Sequence, residues 1–312
     1  MRKSKQQHIP AGAVPGVFPQ SIKPMLMHAA AAPFCSDDWI FELKLDGMRG
    51  LAHITNQSCK LFSKNMRDRS STFPALVNAL SQIEGDVVLD GEIVAHDESG
   101  KPSLDRLEER WFLDRATETQ RADSENPVTY YAFDLLHYNG YDLRSVKLKE
   151  RKKLLHEVIK PTERIKVVEH FPGDGKTLFN ACEEMRLEGV VAKRLESAYC
   201  AGIRSNDWLK IKVWHEGSFL IIGYRQEDGF LLAQKLDNGE LRYAGSVFAG
   251  LRKADQSDFT KRLQPRDSNP LARKFSHKET IWFEPTVRII VRYQEQTQKG
   301  ILRSTIFMGF DN

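Results

Sequence analysis

Cysteine is scarce in this 312-residue chain, which has four, at positions 35, 59, 182 and 200. None forms a C-x-x-C pair and none has zinc-ligand spacing to a histidine, so no zinc site is expected. They read as free thiols in a reducing, cytoplasmic compartment. No apolar run approaches the roughly 18 residues of a membrane helix, so no membrane partner is expected. Acidic residues are missing at the start, the first being Asp37. Arg2, Lys3 and Lys5 are not followed by an apolar stretch, so a secretory signal is not expected. Neither sign of charge dominates: 46 Lys and Arg against 42 Asp and Glu leave a net charge of +4. That balance is compatible with a polyanionic partner without requiring one. Hydrophobic residues are not lacking, at 41%, so a sizeable core can form and a disordered chain is excluded.

The length suits two domains. Residues 1–21 are aperiodic and rich in Gly, Pro and Gln, and read as a flexible tail. From Trp39 onward short apolar strands alternate with helical patterns. The spacing predicts helices over 73–83, 147–160 and 176–187. After residue 213 strands dominate, with Glu227-Asp228-Gly229 and Asp237-Asn238-Gly239 as turns between several of them. The expected organisation is therefore an α+β domain over 22–213, with antiparallel sheets and helices, and an all-β barrel over 214–312.

The stretch WIFELKLDGMR (39–49) places Trp39, Phe41, Leu43 and Leu45 on one strand face, with Glu42, Lys44 and Asp46 opposite. Taken alone, this is equally an amphipathic edge strand with a solvated face. The pattern recurs. In VVLDGEIV (87–94) Asp90 and Glu92 share a face, and in YYAFDLL (130–136) Tyr131 and Phe133 do, with Asp134 opposed. In EGVVAKR (188–194) Glu188 is grouped with Val190, and in WLKIKV (208–213) Lys210 is grouped with Lys212. If those faces converge, they form a pocket of lysines, carboxylates and an aromatic platform. Such a pocket suits a nucleoside triphosphate with a divalent metal.

KLDGMR (44–49) resembles the K-x-D-G-x-R motif of covalent nucleotidyltransferases: ATP-dependent DNA ligases, RNA ligases and mRNA capping enzymes. SKN (63–65), LDGEIV (89–94), YYAFDLL (130–136), EGVVAKR (188–194) and WLKIK (208–212) resemble that superfamily's successive motifs in order. IKPMLMHAA (22–30), FDLLHYNGYDLRSVKLKERKKLL (133–155), EHFPGDGKTLF (169–179), WFEP (282–285) and GILRSTIFMGF (300–310) are similar to bacterial ATP-dependent DNA ligases of the end-joining ligase D type. Two departures stand out. Lys64 occupies a place where the family usually has arginine, and Asp311 follows Gly309-Phe310 where a second closing arginine is usual, although Arg303 is retained.

The resemblance implies an adenylation domain followed by an OB-fold, and a three-step reaction. Lys44 would attack the α-phosphate of ATP and form lysyl-AMP. The AMP would pass to a 5′-phosphate at a DNA break, and the 3′-hydroxyl would displace it. A free lysine is neutral about one time in two thousand at pH 7, so a metal and the neighbouring Lys210 and Lys212 would have to favour the neutral amine. Glu92 and Glu188 are the implied ligands of Mg²⁺ or Mn²⁺, with Glu92 also a ribose partner. Phe133 would stack on adenine, Glu42 would read its edge, and Arg49 and Lys64 would contact the ribose-phosphate part. Arg303 would orient pyrophosphate when the second domain closes. Each has a bland alternative: a solvated strand face for the lysines, surface pairing for the carboxylates, core packing for Phe133.

The resemblance further implies nicked or broken duplex DNA as partner, a Ku-like end-binding protein as recruiter, and a monomeric enzyme of DNA repair associated with the bacterial nucleoid. Arg252, Lys253, Lys261, Arg262, Arg273 and Lys274 are the basic residues expected to serve the DNA. An RNA ligase or capping-type enzyme and a non-catalytic DNA-end binding module are the competing readings. An NAD-dependent ligase is disfavoured because only 43 residues precede Lys44.

Overall fold

The computed structural model describes residues 9–113, 116–252, 255–271, 279–297 and 299–311. The chain divides into a unit ending at Lys212 and another beginning at Val213.

Two sheets build the first unit. One has the order Val14–Pro15, Tyr141–Asp142, Val128–Tyr138, Val87–Ala95, Met48–Thr55, Ser58–Ser63, with Ile165–Val167 added parallel to Val128–Tyr138. The other runs His170–Asp174, Cys35–Leu43, Gly189–Arg194, Arg204–Lys212, Leu26–Ala29, and its last pairing is parallel. The sheets meet over Met25, Leu51, Val88, Leu136, Tyr199 and Trp208. On the far side of the first sheet, helices cover a larger apolar cluster. Leu76 and Leu80 come from the helix Pro74–Leu80, and Leu154 and Leu155 from Leu148–Val158. The helix Gly175–Glu184 covers the second sheet, where a side chain at Gly175 would come 2.3 Å from Phe41. Short helices at Leu104–Glu108 and Ala116–Glu125 have too weak an apolar period to be read from sequence.

The flexible tail expected to residue 21 is corrected from Ile9 onward. Val14 and Pro15 pair with Asp142 and Tyr141. Ser145 Oγ donates to the Gly12 carbonyl at 2.7 Å. Phe18 meets the rings of His53 and His137 edge-on at 6.0 and 5.3 Å. The segment follows the surface irregularly, so it has no period to betray it. Residues 1–8 lie outside the described residues.

In the second unit the strands Leu241–Val247, Gly229–Lys235, His215–Arg225, Ile281–Phe283 and Pro265–Arg266 follow one another in a sheet. Arg288–Tyr293 pairs with His215–Arg225 and with Ile306–Phe310. A single bridge joins Ala249 to Ile306. Phe219, Ile221, Leu232, Val291 and Phe307 fill its core. The all-β expectation is amended by a helix, Gln256–Arg262, whose Phe259 ring is buried against Phe230 at 4.3 Å. Lys253, Arg273 and Lys274 lie outside the described residues. Arg252 pairs with Asp255, and Arg262 sits 4.4 Å over the Phe310 ring.

Candidate active site

The turn between the two sheets sets the site. The strand Cys35–Leu43 stops one residue before Lys44, whose backbone N–H donates to the Gly189 carbonyl at 2.9 Å. Lys44 and Asp46 are therefore in a loop, not on the strand face that alternation assigns them. At Gly47 the loop passes so close to the first sheet that a Cβ would lie 2.3 Å from the Ile93 carbonyl oxygen, which is why the position has no side chain. The Asp46 carboxylate accepts from the Leu104 N–H at 3.1 Å and holds the loop's other side. Arg49 then enters the strand Met48–Thr55 opposite Glu92.

Strand register collects the remaining groups. Glu42 stands opposite Val191, which stands opposite Lys210. One step along, Ile40, Lys193 and Trp208 form the parallel row. With a period of two, Glu42, Lys193, Trp208, Lys210 and Lys212 share one face. Across from it the first sheet presents Arg49, Glu92 and Phe133, and a cleft open to solvent lies between the two faces. The convergence of faces expected from sequence is thus present for Glu42, Lys44, Arg49, Glu92 and Phe133, which all line this cleft. The solvated-face alternative does not hold for Glu42, which is 2% exposed, or for Asp90 and Asp134, which are fully buried.

Electrostatics tie the groups together. Lys44 Nζ lies 2.7 Å from the Glu188 carboxylate, and Lys212 Nζ lies 3.9 Å from it. Glu188 sits just before its strand, and its grouping with Val190 on a strand face is corrected accordingly. Burial pushes Glu92 up to about 7, against Lys44 and Arg49, with Glu188 and Asp90 adding to the rise. Burial lowers Lys210, and Lys44, Arg204 and Lys64 lower it further. Burial also lowers Lys212 against the pull of Glu188. Lys64 is exposed in the turn after Ser58–Ser63.

Arg49 donates two hydrogen bonds of 2.5 Å to Asp90, which also accepts from the Tyr199 hydroxyl at 2.5 Å. Burial opposes the charge on Arg49, but Asp90 overrides it and raises the pKa. This fork leaves the guanidinium 4.6 Å from the Phe133 ring centroid. Lys193 Nζ lies 4.2 Å from the same ring and 4.3 Å from Trp208. Phe133 is thus already flanked by cations, and is more than the bare stacking platform expected from sequence. Arg303 belongs to the second unit, where its strand pairs with Glu295–Gln296 and its Nε lies 4.0 Å from Glu295. Asp311 accepts from Ser218 Oγ, and its N–H donates to the Arg288 carbonyl.

Lys193, Trp208 and Tyr199 were missed by sequence reasoning, and Asp90 was grouped with Glu92 but given no role. The signal for Trp208 was available, since it lies two residues before Lys210 on the same strand face. Lys193 lies two residues after Val191 in the same way.

Among the described residues there is no group of three or more His, Cys, Asp or Glu side chains suited to a metal. Glu92 and Glu188, close enough for Glu188 to raise the Glu92 pKa, are hard oxygen donors of the kind that would suit a cation keeping waters and phosphate oxygens as its other ligands.

Comparison with known proteins gives one consistent result. A family model described as the ATP dependent DNA ligase domain matches residues 23–212, and one described as the ATP dependent DNA ligase C terminal region matches 225–311. The multifunctional non-homologous end joining protein LigD of Pseudomonas aeruginosa is 33% identical over 94% of this chain and 36% of its own length. The corresponding DNA repair protein LigD of Mycobacterium tuberculosis is 32% identical over 93% of this chain and 38% of its own. The crystal structure of the ligase domain from M. tuberculosis LigD superposes with a TM-score of 0.55 at 30% identity, covering 93% of this chain and 95% of that one. The chain thus spans little more than a third of the length of these curated relatives.

Proposed function

The chain belongs to the ATP-dependent DNA ligase family, and from that premise we propose that it seals 5′-phosphate/3′-hydroxyl breaks in duplex DNA. The observation that carries the reading is Lys44, held at a loop fixed by Gly47 and Asp46, beside Glu188 in a cleft rimmed by further lysines. In the first step the neutral Lys44 amine forms a bond to the α-phosphorus of ATP. The bond from that phosphorus to the bridging oxygen breaks, and pyrophosphate leaves with the electron pair. AMP is then transferred to the 5′-phosphate of the DNA, which frees Lys44. Finally the 3′-hydroxyl oxygen attacks that phosphate, and AMP departs.

Lys210 and Lys212 oppose the charge that builds on the phosphates. Glu42 meets the adenine edge, Phe133 its face, and Arg49 and Lys64 the ribose-phosphate part. Arg303, in the second unit, orients the pyrophosphate through its planar fork. Glu92 and Glu188 would hold Mg²⁺ or Mn²⁺, which when bound neutralises phosphate charge. The strand-rich second unit is proposed to be an OB-fold that grips duplex DNA through its backbone. The relatives' part in non-homologous end joining supports a place in DNA repair; a Ku-like end-binding protein as recruiter, association with the nucleoid and a monomeric working form complete the proposal. No helix among the described residues is long and apolar enough to cross a membrane.

The test compares sealing of a nicked duplex with ATP, GTP and NAD⁺, and of nicked DNA with nicked RNA. ATP-dependent sealing of DNA, with covalent AMP on the protein, is expected. No covalent label would leave only a DNA-end binding module, and preferential sealing of RNA would move the chain to the RNA ligases.

A further inference from the structure

Lys152 lies outside the lysine motif and the pocket-facing strand motifs, in the segment 133–155 that resembles the end-joining ligases. It lies in a lysine-rich helix, Leu148–Val158. The neighbouring Lys147 and Lys149 are exposed and pair with Glu196. Lys152 instead falls on the buried stripe with Leu148, Arg151 and Leu155. Its ammonium reaches the Glu42 carboxylate at 2.5 Å, and the Val168 carbonyl at 3.4 Å.

Lys193 Nζ holds the other Glu42 oxygen at 2.6 Å. The three side chains are 2–3% exposed. Glu42 and Lys193 line the cleft, whereas Lys152 does not and so approaches Glu42 from behind. Burying such a cluster is expensive, and a leucine or methionine at 152 would pack on the same stripe without desolvating a charge. Stability alone therefore does not account for the lysine. Burial by itself would raise the Glu42 pKa, but Lys152 and Lys193 together hold it below the ordinary value.

We infer that Lys152 is a positioning residue for base selection, fixing Glu42 from behind the cleft as an acceptor that admits a 6-aminopurine nucleotide and rejects a 6-oxopurine one. The inference rests on the reading that Glu42 meets the base edge. An ionised carboxylate only accepts hydrogen bonds. The 6-amino group of adenine donates to it, while a 6-oxo group sets acceptor against acceptor and leaves both unpaired. Without Lys152 the carboxylate has one ammonium instead of two, so it protonates and reorients more readily. A protonated Glu42 donates to a 6-oxo group, and the discrimination falls.

The experiment measures the rate of Lys44 adenylylation or inosinylation across nucleotide concentration, with ATP and with inosine triphosphate. It uses the full chain as wild type and as Lys152→Met, Lys152→Gln, Lys152→Arg and Glu42→Gln. Lys152→Met should lower the ATP-over-inosine ratio of kcat/KM by about tenfold or more, the scale of one hydrogen bond to a charged group. Most of the loss should appear in KM for ATP. Lys152→Arg, which keeps the charge, should restore most of the ratio. Lys152→Gln keeps much of the length without the charge and should also lose the ratio, so it decides the matter if the Met variant does not fold. An unchanged ratio in Lys152→Gln or Lys152→Met, with a changed ratio in Glu42→Gln, overturns the positioning role alone. An unchanged ratio in Glu42→Gln overturns the base-edge reading beneath it.

Discussion

The ammonium of Lys44 and the carboxylate of Glu188 face each other at 2.7 Å, and each keeps about a sixth of its side chain exposed. The contact links the proposed nucleophile with the residue proposed to hold the metal, and attack on phosphorus would need the pairing to loosen.

Lys44→Ala should remove covalent AMP labelling completely. The variant should still seal a nick that already carries 5′-adenylate, because that step needs no lysine nucleophile. Acid-labile label persisting on the variant would show that another residue is adenylylated.

Glu188→Ala should slow sealing by at least about 10²-fold, the range for losing a major transition-state electrostatic contact. The loss should be read across a divalent-cation titration. Wild-type rates at low Mg²⁺ would reduce Glu188 to a partner of Lys44 and Lys212.

Arg303→Ala should slow lysine adenylylation strongly and leave sealing of a pre-adenylated nick largely intact. Pyrophosphate leaves in the first step only, so a contact to it stabilises that transition state alone. Asp311→Arg should leave adenylylation unchanged or raise it modestly, while losing the hydrogen bond from Ser218. Single-turnover kinetics of the two steps separate these effects, and equal losses in both steps for Arg303→Ala would point to folding or DNA binding instead.

Acid should weaken the first unit through the histidines that hold its N-terminal segment. His53 Nδ1 is 3.2 Å from the Pro19 carbonyl, and burial lowers the pKa of both His53 and His137. Below the ordinary histidine value of 6.5 the unfolded chain therefore binds more protons than the folded one. Stability falls as pH drops through that value and is complete above it. Thermal melts between pH 7.5 and 5.5 should show this slope, and His53→Gln should flatten it. An equal slope in the variant would place the titration elsewhere.

Much of the site was legible because its strands alternate with a period of two. Lys210 with Lys212 and Tyr131 with Phe133 can be grouped by counting. Glu42 and Lys44 cannot be placed on one strand that way, because the strand ends at Leu43. The N-terminal segment escaped because its contacts, from Gly12 to Ser145 and from Phe18 to His53 and His137, join residues far apart in the chain without any local period.

By itself the sequence determined the inventory: which residues carry charge, which alternate, and the order of motifs that marks the family. Only the tertiary structure decided which charges meet. Lys152 and Lys149 stand three positions apart in one lysine-rich helix, yet one is buried against Glu42 and the other exposed beside Glu196. Local sequence sets the helical phase. Whether a given phase faces water or a carboxylate 110 residues away depends on how the helix packs on the sheets, and that is a long-range property.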